Sequence, residues 1–288
     1  MAQREALSQV RISVRNLVEF VMRSGDLDDR RMAGAKKEAM QAGSRLHRKI
    51  QRRMGSDYQA EVSLKHTVKE DSFELLIEGR ADGIITEPGG VTIDEIKCIY
   101  MDPGRLEEPD PVHMAQALCY GTIYAVHHDL EEIGIQLTYC NIETEEIRRF
   151  KEVKTREELE DWFKGLIHEY VKWARYLYHH RMRRQECLKT LQFPYAYREG
   201  QKELAACVYR SVAEGRNLYI QAPTGVGKTL STVFPSLKAM GEGYGEKLFY
   251  LTARTITRSV AEEAFDILRG EKELYFNTVT ITAKEKLC

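Results

Sequence analysis

The sequence predicts a mixed α/β chain in two domains, and three observations predict it. Two runs rich in isoleucine, valine and threonine flank Glu87-Pro88-Gly89-Gly90, where a fixed proline φ and two permissive glycines make a hairpin turn. Amphipathic segments of helical length alternate with such runs over the first 185 or so residues. Residues 217–237, NLYIQAPTGVGKTLSTVFPSL, pass from an apolar strand through a glycine-containing loop into a helix.

In chain order, residues 10–22 read as an amphipathic helix with Leu17, Phe20 and Val21 on one side, and a second helix spans 31–54. Strands are expected at 58–67, 73–86 and 91–100, a helix at 111–128, and two more strands within 133–152. Residues 156–184 form a long helix whose stripe of Trp162, Leu166, Tyr170, Trp173 and Leu177 has the spacing of a core face. At 186–198 a proline and several aromatics interrupt helical patterning, which places the boundary between a domain of residues 1–188 and one of 189–288.

The hairpin carries the first chemical signal. With Pro88 and Gly89 central, Glu87 pairs with Gly90, Asp82 stands opposite Glu95 and Arg80 opposite Lys97, all on one face. Two carboxylates facing each other repel unless a cation sits between them. The cation is either a metal ion or the neighbouring Arg80 and Lys97, the latter giving an exposed salt-bridge quartet; a bulged turn would shift the register by one. Asp94 points to the opposite face.

Composition sets the frame. Lys and Arg number 43 against 44 Asp and Glu, so any electrostatic partner must be met by local patches. Residues 30–53 and 172–189 are such basic stripes, able to follow a phosphate backbone or to be solvated helix faces. The N-terminus has no apolar signal region and no window approaches a bilayer span, so the expected compartment is the cytoplasm. Cys98, Cys119, Cys140, Cys187, Cys207 and Cys288 stand far apart, as reduced thiols do, and most read as small buried hydrophobes.

The strand–loop–helix at 217–237 has the context of a phosphate-binding loop, with Thr224, Gly225 and Gly227 in the cradle, Lys228 reaching the β and γ phosphates of ATP, and Thr229 holding Mg²⁺. The general pattern wants glycine where Ala222 stands. The variant APTGVGKT resembles that of superfamily 2 helicases, and residues 193–288 resemble the start of the first motor domain of the XPD/DinG type. By that resemblance FPYAYREGQKELA supplies an adenine-reading glutamine, Gln201, and LFYLTARTITRSVAEEA a DNA-contacting region. TAKEKLC would bring Cys288 as the first of four cysteines of a [4Fe-4S] cluster. The acidic box that helps position Mg²⁺ and the second motor domain do not occur in these 288 residues, which are therefore expected neither to hydrolyse ATP usefully nor to unwind DNA.

Residues 40–120 resemble the RecB/Cas4-like branch of PD-(D/E)xK nucleases. AGSRLHRKIQ matches the helix with a metal-site histidine, His47; GRADG supplies Asp82; DEIK supplies Glu95 and Lys97; HMAQALCY matches a Q-x-x-x-Y element through Gln116 and Tyr120. The resemblance implies a restriction-endonuclease-like fold in which Asp82, Glu95, the Ile96 carbonyl and His47 bind Mg²⁺ or Mn²⁺. Lys97 would orient or help deprotonate the attacking water, and Gln116 and Tyr120 would position the DNA strand. No iron–sulphur centre is expected in this domain. The reading is a metal-dependent nuclease joined to the opening of an ATP-driven helicase that feeds it single-stranded DNA. The alternatives are a non-cleaving module that grips DNA for the helicase, or an unrelated P-loop ATPase.

Overall fold

The computed structural model describes residues 8–25, 35–223, 225–252, 255–270 and 274–282. By its internal contacts the chain divides into two compact units, with Ser8–Arg175 in one and Tyr176–Cys288 in the other. The division falls inside a helix, ahead of the boundary read from composition.

The first unit is built on a six-stranded mixed sheet. It comprises β1 (Gln9–Ser13), β2 (Tyr58–Lys69), β3 (Glu74–Glu87), β4 (Gly90–Ile99), β5 (Glu132–Asn141) and β6 (Ile147–Thr155), in the order β1-β3-β4-β5-β6 with β2 also on β3. The helices are α1 (Val14–Val21), α2 (Ala35–Arg53), α3 (Pro111–His128) and α4 (Arg156–Lys189). One expectation is corrected at the start. Residues 10–13, read as the start of a helix, instead belong to the strand Gln9–Ser13 parallel to β3, because Val10 alternates into the core; Ser13 then caps α1 by accepting from the Asn16 N–H at 3.1 Å. Leu17 is buried as expected, whereas Phe20 lies largely exposed against Tyr170 and Trp173. Residues 31–34 of the expected second helix lie outside the described residues.

β3 is long enough to take two partners along one edge. β2 pairs with it from Glu74 to Ile85. On the opposite edge β1 takes Glu74–Glu78 and β4 takes Gly83–Glu87, leaving Gly79–Asp82 without a strand partner. Helices cover both faces. Leu46 and Ile50 of α2 pack with Ile96 and Cys140 on one face. On the other, α3 is the crossover between the parallel strands β4 and β5, with Ala115, Ala117, Cys119 and Ile123 buried.

The long helix α4 is as expected but reaches Lys189. Its buried stripe is Leu159, Phe163, Leu166, Ile167, Tyr170 and Ala174; Trp173 and Leu177 of the predicted stripe are exposed, since the core-facing line runs one residue to the side.

The second unit contains the end of α4 with α5 (Gln201–Glu214), α6 (Lys228–Gly241) and α7 (Thr255–Arg269), around a core that includes Leu188, Val233, Leu237, Leu268 and Phe276. The strand expected from residue 217 is corrected. Residues 216–223 carry no regular secondary structure, and among the described residues of this unit none is a strand. Tyr219 is 94% exposed, Leu251 89% and Ile281 87%. Apolar runs of this kind become strands only where a neighbouring strand pairs with them, and such pairing is not formed among the described residues here. Cys119 and Cys140 are buried as expected, while Cys98, Cys187 and Cys207 are half-buried. Among the described residues no helix is long and apolar enough to cross a membrane.

Candidate functional site

The gap in the edge of β3 is where the predicted residues meet. Hairpin pairing runs from Glu87↔Gly90 to Gly83↔Asp94 in the register counted from the turn, and stops one residue short of Asp82 and Glu95. The strands part there. The Asp82 carboxylate turns into the opening and accepts the Ile96 N–H at 2.8 Å. His47 of α2 reaches it from the other side, Nε2 to Oδ2 at 3.1 Å.

A residue not singled out in the sequence completes this group. Ala60 pairs with Gly83 and Val62 with Ala81, so Glu61 of β2 stands opposite Asp82. Its Oε1 lies 3.8 Å from His47 Nδ1 and accepts from Gln51 Nε2 at 3.1 Å, while Arg80 holds its Oε2. Among the described residues, His47, Glu61 and Asp82 are the set whose donor atoms lie within 4.8 Å of one another. Glu61 has φ 58°, a left-handed conformation that costs a non-glycine residue about 1–3 kcal/mol. The signal that could have found it is the β2–β3 register, which no turn between those strands announces.

Glu95 and Lys97 lie on the α3 side of the gap. Lys97 Nζ donates to Glu95 Oε1 at 2.8 Å and to Gln116 Oε1 at 2.6 Å, which leaves one ammonium N–H uncommitted by these bonds. Glu95 is 5% exposed and its Oε2 is buried without a hydrogen-bond partner. Burial, and next the charge of Asp82, push its carboxyl up to about 7 against the pull of Lys97 and His47. The His47 imidazole is raised, first by its hydrogen bond to Asp82. The salt-bridge quartet is replaced by other partners, Arg80 pairing with Glu61 and Lys97 with Glu95.

Gln116 and Tyr120 are together on α3 as spaced, but both are buried and face the protein's own atoms. Gln116 holds Lys97. The Tyr120 hydroxyl meets the Arg80 backbone in the unpaired stretch of β3, against Gly79, where an added Cβ would fall 2.7 Å from Tyr120 Oη. Asp94, on the opposite face, is fully buried and accepts from Thr138 at 2.6 Å, Gln136 at 2.9 Å and Tyr58 at 3.3 Å, a satisfied anchor for β4.

The residues around the gap fit a divalent cation. The donor atoms of His47, Glu61 and Asp82 converge there, the orphaned buried Oε2 of Glu95 lies on the α3 side, and oxygen-rich donors suit Mg²⁺ or Mn²⁺. Ile96 is fixed by its N–H bond to Asp82, which holds its peptide beside the same group.

In the second unit, Gly225 and Gly227 take φ of 87° and 71°, as a phosphate-cradling loop requires, and Lys228 opens α6. Lys228 Nζ donates to the carbonyls of Ala222 at 2.7 Å and Pro223 at 2.8 Å. Gln201 is buried beneath the loop, accepting the Arg198 N–H at 3.0 Å and donating to the Val226 carbonyl at 3.2 Å. The Thr229 hydroxyl lies 3.4 Å from Tyr250 Oη. Thr224 and Cys288 lie outside the described residues.

No protein-family model matches the chain. A stretch of 47 residues, 16% of the chain, is 47% identical to a probable ATP-dependent helicase of Methanocaldococcus jannaschii, MJ0942, and spans 7% of that protein's length. Among solved structures, the chain aligns with SSO0001 at a TM-score of 0.36 and 22% identity, over 57% of this chain and 80% of that one. It also aligns with an alkaline exonuclease from Laribacter hongkongensis at 0.33 and 14%, over 62% and 96%.

Proposed function

We propose that residues 8–175 form a divalent-metal-dependent DNA nuclease, and that residues 176–288 bind ATP as the opening of a DNA helicase motor. The observation that carries the nuclease reading is the buried, unpartnered Oε2 of Glu95 in the same strand gap as Asp82, His47 and Glu61, beside a lysine held by glutamine. Left to themselves these carboxylates repel. Asp82, Glu95, His47 and the Ile96 carbonyl would hold the Mg²⁺ or Mn²⁺, with Glu61 as a further ligand. The bound cation supplies an acidified water and neutralises charge on the phosphoryl oxygens.

Lys97 does the rest from this chain. Its remaining N–H aims a donor at the attacking water or at a non-bridging phosphate oxygen, and Gln116 and Glu95 fix its direction. Tyr120 keeps the edge of Gly79–Asp82 opposite β2 clear of a strand neighbour. The finer reading is a nuclease of the RecB/Cas4-like branch followed by an XPD/DinG-type motor, with Cys288 as a first iron–sulphur ligand in the complete protein. Support for the motor comes from the positive φ values of Gly225 and Gly227, from Lys228, and from the short match to a probable helicase. Single-stranded DNA, or an end bearing it, is the proposed substrate.

The test is cleavage of labelled single-stranded DNA by the intact chain with Mn²⁺, Mg²⁺ or EDTA, beside Asp82→Ala and Lys97→Ala. Metal-dependent cutting lost in both variants is expected. Intact DNA binding with no cutting by the wild type would make the unit a gripping module.

A further inference from the structure

We infer that His113, a residue with no role so far, is a neutral hydrogen-bond donor to a phosphate of the bound strand next to the one at Lys97. The inference rests on the nuclease reading for the identity of the strand, and on the following geometry for the donor.

Tyr139 of β5 stands in register with Lys97 of β4, and side chains paired across parallel strands share a face. The Tyr139 hydroxyl accepts the backbone N–H of Asp110 at 3.0 Å and lies 3.1 Å from His113 Nδ1. Tyr139 is buried and its hydroxyl proton needs an acceptor; in this inference that acceptor is Nδ1, the ring nitrogen within reach. The imidazole proton is then on Nε2, the nitrogen on the far side of the ring from Tyr139. Gln116, one helical turn further along α3, touches Lys97, and residues three apart lie on the same helix face. His113 is therefore on the face of α3 that meets Lys97, and like Lys97 it is half-buried where Gln116 is fully buried.

The groups facing His113 are Lys97, Asp110 and Arg15. The Asp110 carboxylate is committed to capping α3, accepting from the Val112 N–H at 2.8 Å and the His113 N–H at 3.3 Å. Arg15 is paired with Glu19 at 2.6 Å and Lys97 with Glu95 at 2.8 Å, so what remains for an anion is the third N–H of Lys97 beside an oriented imidazole N–H. Burial and the nearby lysine lower the His113 pKa, in keeping with a neutral ring. A donor of fixed tautomer needs no reorganisation when the phosphate arrives, which is what orienting a backbone phosphate demands.

The experiment labels the histidines of the full chain with ¹⁵N and assigns His113 by the signal lost in His113→Gln. At pH 7.5 the free protein is expected to show Nε2 protonated and Nδ1 bare. Adding a short single-stranded oligonucleotide with Ca²⁺ is expected to shift the His113 Nε2–H, and Lys97→Ala to reduce that shift. In Mn²⁺, His113→Ala is expected to slow cleavage roughly ten- to a hundred-fold. His113→Gln, whose side-chain amide can offer a donor near the Nε2 position, is expected to recover most of the loss. A protonated Nδ1, no oligonucleotide-dependent shift, or a Gln variant as slow as Ala would overturn the inference. If the wild type does not cleave, the nuclease reading fails on its own, and the oligonucleotide shift still decides whether His113 meets the strand.

Discussion

Replacing Glu95 by glutamine is expected to stabilise the metal-free protein above neutral pH and to do much less at pH 5. Glu95 is buried, its Oε2 has no partner, and its carboxyl is raised from 4.5 to about 7 by burial and by Asp82. A folded-state pKa above the unfolded one means that the native state binds more protons between those values, so stability falls as pH rises through them. The penalty is nearly absent below 4.5 and fully developed above 7. At 1.36 kcal/mol per unit, the shift puts the pH-dependent part of the gain between pH 5 and pH 8 at about 2–3 kcal/mol. Glutamine keeps the shape and an oxygen for Lys97 but carries no charge to desolvate. The assay is urea unfolding in EDTA of wild type and Glu95→Gln at both pH values, followed by a probe in residues 8–175. A variant no more stable than the wild type at pH 8, or a gain equal at both pH values, would refute the argument that burial and Asp82 outweigh Lys97 at Glu95. Repeating the titration with Mn²⁺ should stabilise the wild type more than the variant, because a ligand that binds only the native state adds to its stability.

Glu61→Gln is expected to weaken Mn²⁺ binding to the intact chain about ten-fold, read by calorimetry, since it removes one charge from the group around Asp82. Gly79→Ala would place a Cβ 2.7 Å from Tyr120 Oη and should destabilise the fold by about 1–3 kcal/mol, with Tyr120→Phe partly relieving the clash in the double variant. Lys228→Ala is expected to abolish binding of a fluorescent ATP analogue while leaving the unfolding of residues 8–175 unchanged, because Lys228 bonds only carbonyls of its own loop.

Much of this site is written locally. Pro88 and Gly89 set the hairpin register, and from it the positions of Asp82, Glu95 and Lys97 follow by counting, because side chains alternate with period two. The same holds for the spacing of Gln116 and Tyr120 along α3 and for a loop whose glycines need positive φ. What local pattern could not carry is every relation between segments distant in the chain. Glu61 joins the group only because β2 pairs with β3 in one particular register, and nothing in its neighbourhood sets that register. Gln9–Ser13 is a strand because β3 offers it an edge, although its residues also suit a helix face. The apolar runs of the second unit show the converse, since a strand exists only when another strand accepts its hydrogen bonds. The sequence by itself therefore determined which candidate residues share the hairpin face and in what local order they come. Tertiary structure alone decided that β3 would change partners along one edge at Gly79–Asp82, where the proposed cation site lies, because backbone without a ladder partner on that edge lets the Asp82 carboxylate turn into the opening.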